Sequence, residues 1–257
     1  MWKKIDSVLE YQCSNCRGDG EGDTSTRTID CASTSRGLFL GIVMLVTSVA
    51  TLIAFFMLTT NNYYDLRATL VVHIYHITIY LIMTIISVVI ILKLRTLDYN
   101  INNTSYLEDT LIFICLLSIL SYDIVGILSG IYHLNKMKGL LLLATCTTQL
   151  IQSLIQMTAI VMGLKVCVNN SSRTKPAREC VTFLTVANIS LWLLSLFSDI
   201  VAQEYELQTL FIGQFWWQHF ITIVDPILKF YYLFSASCLI KIWYTVYRIP
   251  LLPITYI

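Results

Sequence analysis

Long apolar runs alternate with short polar connections along this chain of 257 residues. Six runs each reach or exceed the roughly 20 residues with which an α-helix crosses a bilayer. They are Gly37–Thr60, Ala68–Leu94, Leu111–Leu134, Leu140–Leu164, Cys180–Ile200 and Leu210–Val246. The pattern predicts an all-α fold, a polytopic transmembrane six-helix bundle over residues 37–247.

The last apolar run is too long for one straight crossing. We expect residues Leu210–Gln218, which include Trp216 and Trp217, to approach the span along the membrane interface, where tryptophan is enriched. The span itself is expected to kink near Pro226, because proline removes a helix hydrogen bond.

The segments that flank the six runs are polar. Residues 1–36 combine Gly, Ser, Thr, Asp and Arg with weak periodicity, which predicts a flexible cytoplasmic tail. Residues 248–257 are predicted to form a short cytoplasmic C-terminus. The connections between the runs are short, so we expect neighbouring helices to pack antiparallel.

The composition is typical of a multi-span membrane protein. Hydrophobic residues make up 56% of the chain and charged residues only 13%, against roughly 25% charged residues in a soluble domain. The mean hydropathy is +0.69. A net charge of +1 without a basic tract gives no support for nucleic-acid binding. No P-loop, H-E-x-x-H motif or nucleophile elbow occurs, so nothing indicates an enzyme or a bound cofactor.

Three of the eight cysteines lie in the polar N-terminal segment, at Cys13, Cys16 and Cys31, and two of them form a C-x-x-C. A structural zinc site needs four ligands. Because no fourth cysteine or histidine lies nearby, we predict no metal site.

Lysine and arginine fall mainly on one side of the predicted bundle, which is the side that the positive-inside rule places in the cytoplasm. The residues on this side are Lys3, Lys4, Arg17, Arg27, Arg36, Lys93, Arg95, Lys165, Arg173, Lys175, Arg178, Lys241 and Arg248. The opposite side has Arg67, Lys136 and Lys138. Both termini are therefore predicted to be cytoplasmic, in a protein of the plasma membrane.

Four N-x-[S/T] sequons fall in connections on the predicted cytoplasmic side, at Asn102, Asn103, Asn169 and Asn170. Short sequons arise by chance in loops rich in Asn and Ser, so we give the cationic bias more weight. A glycan on Asn169 or Asn170 would invert the predicted topology.

Polar residues inside the apolar runs are the candidate functional positions, because polar groups at membrane depth are costly and rare. His73 and His76, three residues apart on one helix face, are either interfacial histidines or a pH-responsive pair. Asp123 lies well inside the third run, and His133 lies near its end. We expect Asp123 to be protonated or partnered, and both a gating role and a structural interhelical hydrogen bond stay open.

The fourth run repeats glutamine at Gln149, Gln152 and Gln156. Gln152 and Gln156 are four residues apart and share a helix face, with Gln149 three residues before Gln152. A polar stripe of this length predicts contact with a wet cavity or with another polar helix.

The third, fifth and sixth runs contain the remaining positions of interest. Gly126 and Gly130 form a G-x-x-x-G, which predicts close helix packing. Asn188 lies near the middle of the fifth run. Asp225 and Lys229, four residues apart in the sixth run, are predicted to pair along one helix face and so to lower each other's burial cost.

Other channel signatures are absent from the runs, which contain no potassium-filter sequence, acidic ring or arginine-rich voltage sensor. The residues alone therefore predict a six-helix membrane protein with a polar interior that passes a small ion.

The last two runs resemble the closing pair of helices of the otopetrins. In KPARECVTFLTVANISLWLLSLF, a K-P-x-R motif leads into a helix with an N-x-x-L-W core. In DPILKFYYLFSASCL, the P-L/I-x-x-F-Y signature of the last helix appears, followed by I-W at Ile242 and Trp243. The fourth run, LIQSLIQMTAI, resembles the family's Q-x-x-x-Q-T helix. The resemblance extends over roughly residues 37–247 and is closest in the fifth and sixth runs.

This resemblance implies a proton-selective channel activated by acid, with twelve spans in two related six-helix halves, a dimeric assembly and cytoplasmic termini. The chain is similar to the second half alone. In that half of the otopetrins, a hydrogen-bonded Gln–Asn–Tyr group lines the permeation route. By motif position, the asparagine is Asn188, the tyrosine is Tyr231, and the glutamine is Gln156 or, alternatively, Gln152. The titratable groups in the runs are the candidates for pH sensing or gating in such a channel, namely Asp123, His133, His73 and His76.

The chain departs from the family's F-Y-R-x-H-[S/A] pattern in the last helix. Tyr232 and Phe234 stand where the relatives usually place arginine and histidine. Neither substitute carries a charge.

We therefore expect an otopetrin-like proton channel or half-channel, in which protons move along a hydrogen-bonded polar route inside the bundle. Its expected partners are the lipid bilayer, protons, and either further copies of the chain or full-length relatives. Two alternatives stay open. The chain is a non-conducting structural or regulatory subunit or fragment that associates with a full-length otopetrin, or it is an unrelated small-solute transporter or receptor.

Overall fold

A computed structural model describes residues 31–59, 65–95, 106–165, 177–198 and 206–247. Several predictions concern positions outside these ranges. They are the C-x-x-C at Cys13 and Cys16, the sequons at Asn102, Asn103, Asn169 and Asn170, most of the predicted tail, and the C-terminus from residue 248.

Seven helices and no strands make up the described residues. The helices are α1 (Cys31–Thr59), α2 (Asp65–Leu94), α3 (Tyr106–Tyr132), α4 (Met137–Leu164), α5 (Arg178–Ser198), α6 (Glu206–Ile212) and α7 (Gln214–Tyr247). All except α6 are long and apolar enough to cross a membrane. The predicted all-α fold with six spans is confirmed.

Two helix boundaries differ from the sequence prediction. The first helix begins at Cys31, before the predicted start of the span at Gly37. At the other end, the predicted interfacial approach over Leu210–Gln218 consists of two helices that meet at Gly213, whose φ is +94°. This left-handed conformation is one that glycine adopts readily, and it ends α6 and starts α7. Helix α7 then continues through Pro226 without interruption.

The six long helices form a closed ring in the order α1, α2, α4, α3, α7, α5, in which α5 returns to α1. Two further contacts cross the ring, between α2 and α5 and between α4 and α7. The short helix α6 packs on α3 and α7. Side chains on the inward faces of α2, α4, α5 and α7 therefore meet inside the bundle.

Glycines allow two pairs of helices to approach closely. On α3, a Cβ at Gly130 would lie 2.9 Å from the backbone nitrogen of Leu143 on α4, and a Cβ at Gly126 would collide with the sulfur of Cys146. The predicted close packing at this G-x-x-x-G is thus a contact with α4. On α1, a Cβ at Gly41 would lie 2.7 Å from Val186 on α5.

The end of the bundle predicted to be cytoplasmic is tied together by charged side chains. Glu108 and Asp109, in the first turn of α3, form ion pairs with Lys241 on α7 and, at 3.9 Å, with Lys165 after α4. The guanidinium of Arg178, in the K-P-x-R motif, lies 4.9 Å from the ring centre of Trp243 in the I-W motif. These contacts join the ends of α3, α4, α5 and α7. The opposite end, where α2, α4 and α7 begin, is the predicted external end.

Candidate functional site

Helix α4 supplies a buried polar stripe that faces the interior of the ring. Its members are Thr145, Gln149, Gln152 and Gln156, at spacings of four, three and four residues that keep them on one helix face. At a rise of about 1.5 Å per residue, Gln149 and Gln156 lie about 10 Å apart along the helix axis. The stripe therefore spans a substantial part of the hydrocarbon thickness.

Gln156 is the centre of a hydrogen-bonded group that joins three helices. Its Nε2 donates to Oδ1 of Asn188 on α5 at 2.9 Å and to the hydroxyl of Tyr231 on α7 at 3.4 Å. Its Oε1 accepts a hydrogen bond from Nε2 of Gln152 at 2.6 Å. We call Gln152, Gln156, Asn188 and Tyr231 the amide–tyrosine group. All four side chains are buried, with exposed fractions of 1% or less.

The asparagine of this group is held in place by its own helix. Nδ2 of Asn188 donates to the carbonyl of Leu184, one turn earlier on α5, at 2.7 Å. This bond fixes Oδ1 as the atom that faces Gln156. The sequence motifs selected Asn188, Tyr231 and Gln156 with Gln152 as the alternative glutamine, and the structure brings all four together.

A second polar group lies next to the first, nearer the predicted external end. The hydroxyls of Tyr80 on α2 and Tyr232 on α7 lie 3.2 Å apart, and Nε2 of Gln149 donates to the Tyr232 hydroxyl at 3.4 Å. We call Tyr80, Gln149 and Tyr232 the tyrosine-pair group. The rings of Tyr231 and Tyr232 lie 5.2 Å apart, so the two groups are adjacent.

The sequence analysis did not select Tyr80 or assign a role to Tyr232. A signal for Tyr80 was present, because it follows His73 and His76 at helical spacing on the same face of α2. The rings of His76 and Tyr80 are stacked, with their centres 5.8 Å apart. Tyr232 had no comparable signal, because the family motif assigns the tyrosine of the permeation route to its neighbour Tyr231.

A cavity of about 100 Å³ lies between α2, α4, α5 and α7 on the side of the predicted external end. The tyrosine-pair group forms part of its wall. Its other polar lining residues are His73, His76, Tyr122, Thr145, Ser195, Gln208, Asp225 and Lys229. Gln208, on the short helix α6, is almost fully buried, and its Oε1 has no hydrogen-bond partner. The lining is therefore polar on several sides.

The two histidines of α2 face this cavity. His73 is only 5% exposed, and its Nδ1 lies 2.9 Å from Oγ1 of Thr145 on α4. His73 is thus in the bundle and not at its lipid surface, whereas the sequence left an interfacial position open. His133 lies elsewhere, in the turn after α3, where Nδ1 is 3.0 Å from the carbonyl of Ser129.

Asp123 on α3 is fully buried, and neither carboxylate oxygen has a hydrogen-bond partner. The interhelical hydrogen bond that the sequence left open is not formed. The carboxyl group lies within electrostatic range of Tyr80 and Tyr232. The burial cost at such a position is smallest for the neutral carboxylic acid.

Asp225 and Lys229 form an ion pair on α7, with Nζ and Oδ2 2.7 Å apart. The two residues are one helical turn apart, and their side chains are 20% and 15% exposed. Both line the cavity. Because these two side chains are partly exposed, the cavity lies close to the surface of the bundle beside the ion pair.

No three His, Cys, Asp or Glu side chains of the described residues come close enough together to hold a metal ion. The polar side chains of the site carry amides, hydroxyls and imidazoles, together with the Asp225–Lys229 ion pair and the carboxyl group of Asp123. Amides and hydroxyls both donate and accept hydrogen bonds, which is the property that a chain of hydrogen bonds requires.

Two comparisons with known proteins show the family of the chain. The model of the otopetrin family matches residues 1–233. The chain belongs to the otopetrin family. A relative in Drosophila melanogaster, "Proton channel OtopLc", is 28% identical over 224 residues, which are 86% of this chain and 14% of the relative. The chain thus spans about a seventh of the length of that otopetrin.

Proposed function

We propose that this chain conducts protons across a membrane, or forms part of a channel that does, and that the route passes through the amide–tyrosine group. The observation that carries the proposal is the position of Gln156. Its amide bonds to side chains of two other helices and to Gln152 of its own. The name of the Drosophila relative, a proton channel, supports the proposal at the level of the family.

The packing of the amide–tyrosine group favours protons over larger ions. All four side chains are buried, and Gln156 bonds directly to the other three, so no hydrated metal cation fits between them. A proton needs no such opening, because it moves by exchange along hydrogen bonds between waters and side chains. The same feature that would block Na⁺ therefore leaves a path for H⁺.

We further propose a plasma-membrane location with both termini cytoplasmic, and assembly with further copies of the chain or with full-length relatives. The distribution of lysine and arginine supports the orientation. In the candidate gating set, Asp123, His73 and His76 lie near or along the cavity, whereas His133 lies in the turn after α3.

An electrophysiological experiment tests the proposal. The chain is expressed in cells that lack acid-evoked currents, and the external pH is lowered stepwise under voltage clamp. We expect an inward current that grows with acidification, follows the proton gradient in its reversal potential, and persists when Na⁺ is replaced by a large organic cation.

The matched control uses two glutamines. Gln156→Leu removes the centre of the amide–tyrosine group and should reduce the current at least fivefold, whereas Gln218→Leu, on the exposed face of α7, should leave it within twofold. Surface-localised protein without an acid-evoked current would contradict conduction by this chain alone. A current that appears only on co-expression with a full-length otopetrin would indicate the subunit alternative.

A further inference from the structure

Tyr232 is one of the residues that line the cavity, and it also contacts the amide–tyrosine group. Its hydroxyl is held from two directions, by the Tyr80 hydroxyl at 3.2 Å and by Nε2 of Gln149 at 3.4 Å. Tyr232 is only 6% exposed, and its ring packs beside that of Tyr231. The side chain therefore stands between the cavity and the amide–tyrosine group in a fixed orientation.

The residues of α4 show where the cavity stops. Cys146 and Gln149 line it, whereas Ser153, one turn beyond Gln149, does not and is 1% exposed. One helical turn corresponds to about 5.4 Å along the axis. The boundary between the cavity and the buried core thus lies within a single turn of α4, at the level of Tyr232.

The groups on both sides of this boundary have unused hydrogen-bonding capacity. Oε1 of Gln208 on the cavity side and Oε1 of Gln152 on the core side are both buried without a partner. Leaving a polar atom in that state costs about 1–3 kcal/mol, which a bound water recovers. A polar cavity of about 100 Å³ has room for several water molecules, and such sites hold water.

We propose that the cavity is water-filled and that Tyr232, positioned by Tyr80 and Gln149, is the barrier that separates this water from the amide–tyrosine group. Tyr232 is then a positioning residue for conduction, since its hydroxyl orders the water from which protons pass inward. This second part rests on the proposed function. The barrier itself does not, and it can be measured without any current.

Two native cysteines provide a matched test of the water-filled cavity. Cys146 lines the cavity and Cys115 lies in the apolar core, yet both are almost fully buried, at 2% and 1% exposed. Each is retained alone in an otherwise cysteine-free chain in membranes, and 2-aminoethyl methanethiosulfonate is added. The extent of modification is followed by mass spectrometry. We expect Cys146 to be modified at least tenfold faster than Cys115. Equal, slow modification of both would overturn the water-filled cavity.

A cysteine beyond the boundary tests the barrier. Ser153→Cys alone should be protected from the reagent, and it should become reactive, by at least tenfold, when combined with Tyr232→Ala. Tyr232→Leu serves as a second, less severe variant. The matched control is Leu233→Ala, at the adjacent position on the exposed side of α7, which should leave Ser153→Cys protected. Continued protection in folded Tyr232→Ala or Tyr232→Leu protein would overturn the barrier.

Removal of the hydroxyl alone tests the positioning role. Tyr232→Phe keeps the ring, so Ser153→Cys should stay protected while the acid-evoked current falls at least threefold. Tyr75→Phe is the control, because Tyr75 also bonds through its hydroxyl, to Ser48, but lies outside the cavity lining. An unchanged current in Tyr232→Phe alongside a reduced current in Gln156→Leu would overturn the positioning role and leave the proposed function standing.

No current in the unmodified chain would contradict the proposed function and, with it, the positioning role, while the labelling results would still decide the barrier.

Discussion

Gln156 joins three helices, α4, α5 and α7, through the hydrogen bonds of its side-chain amide. Its two amide hydrogens are used by Asn188 and Tyr231, and its oxygen is used by Gln152. Loss of one partner leaves a buried amide hydrogen without an acceptor, at a cost of about 1–3 kcal/mol. Substitutions in this group therefore affect both folding and conduction, and the two effects must be measured separately.

Tyr231→Phe separates the two effects most cleanly, because it removes one hydroxyl and leaves the ring in place. We expect the acid-evoked current to fall at least fivefold at unchanged surface abundance. The reason is that the Tyr231 hydroxyl accepts a hydrogen bond from the Gln156 amide and is the next group in the proposed route. Tyr132→Phe is the matched control, as Tyr132 is 71% exposed at the end of α3. Equal currents in both variants would contradict a role for Tyr231 in the route.

The ion pair on α7 makes a prediction about stability. Asp225→Leu leaves the Lys229 ammonium without its carboxylate, so we expect a lower thermal midpoint of the detergent-purified protein. The double variant, with Lys229→Leu added, should recover most of the loss, because an apolar pair replaces a partly buried ion pair at little cost. A double variant less stable than Asp225→Leu would show that the lysine has a more important partner than Asp225.

At the scale of single residues, motif and spacing predicted the amide–tyrosine group but not the tyrosine-pair group. Gln152, Gln156, Asn188 and Tyr231 could be selected because each lies in a motif or a repeated polar spacing. Tyr232 could not, because tyrosines occur throughout the apolar runs, and the signal for Tyr80 was limited to its helical spacing after His73 and His76. Which of them turn inward depends on the rotation of α2 and α7, and that rotation is set by packing against the neighbouring helices.

Among the helices, the contact between α3 and α4 depends on small side chains. Gly126 faces the sulfur of Cys146, and Gly130 faces the backbone of α4. The α4 backbone that faces Gly130 cannot move away from an added side chain. The Cys146 sulfur that faces Gly126 can be removed by substitution. The two glycines therefore respond differently to the same change.

Gly126→Ala should destabilise the protein by about 1–3 kcal/mol, the usual cost of overpacking, and Cys146→Ala should relieve most of that cost. Gly130→Ala should be at least as damaging, and Cys146→Ala should not relieve it. The measurement is the thermal midpoint of each single and double variant. Equal relief at both glycines would contradict the contacts described for α3 and α4.

The helices themselves were largely predictable, because each span is a continuous apolar run of sufficient length. The division of the last run into α6 and α7 was not. Apart from Gln214, the residues next to Gly213 are apolar or aromatic on both sides, so the apolar run continues across the break. Only the backbone conformation of one glycine separates the two helices.

For the whole molecule, the ring of six helices buries the two polar groups beside an apolar core and leaves many large apolar side chains exposed on its outside. The ends of α3, α4, α5 and α7 are joined on the predicted cytoplasmic side by two ion pairs and the Arg178–Trp243 contact. The cavity lies toward the opposite end. Side-chain contacts thus join the helix ends at one end of the bundle, and the cavity lies nearer the other end.

The predicted orientation can be tested by cysteine labelling from outside the cell. Asn135→Cys, in the exposed turn between α3 and α4, should react with an impermeant maleimide on intact cells. Arg95→Cys, at the exposed end of α2, should react only after permeabilisation. Removal of N-linked glycans should leave the mobility of the protein unchanged. The reverse labelling pattern, or a glycan on Asn169 or Asn170, would invert the topology.

The hydrogen bonds of the amide–tyrosine group divide into two branches at Gln156. One branch runs through Asn188 and ends on the backbone carbonyl of Leu184, which has no hydrogen to pass on. The other ends on the Tyr231 hydroxyl, which both accepts and donates and lies beside Ser153 and Ser235. In the proposed route, the asparagine branch therefore only orients the glutamine, and the tyrosine branch passes the proton on. We accordingly expect Tyr231→Phe to reduce the current more than Asn188→Ala does.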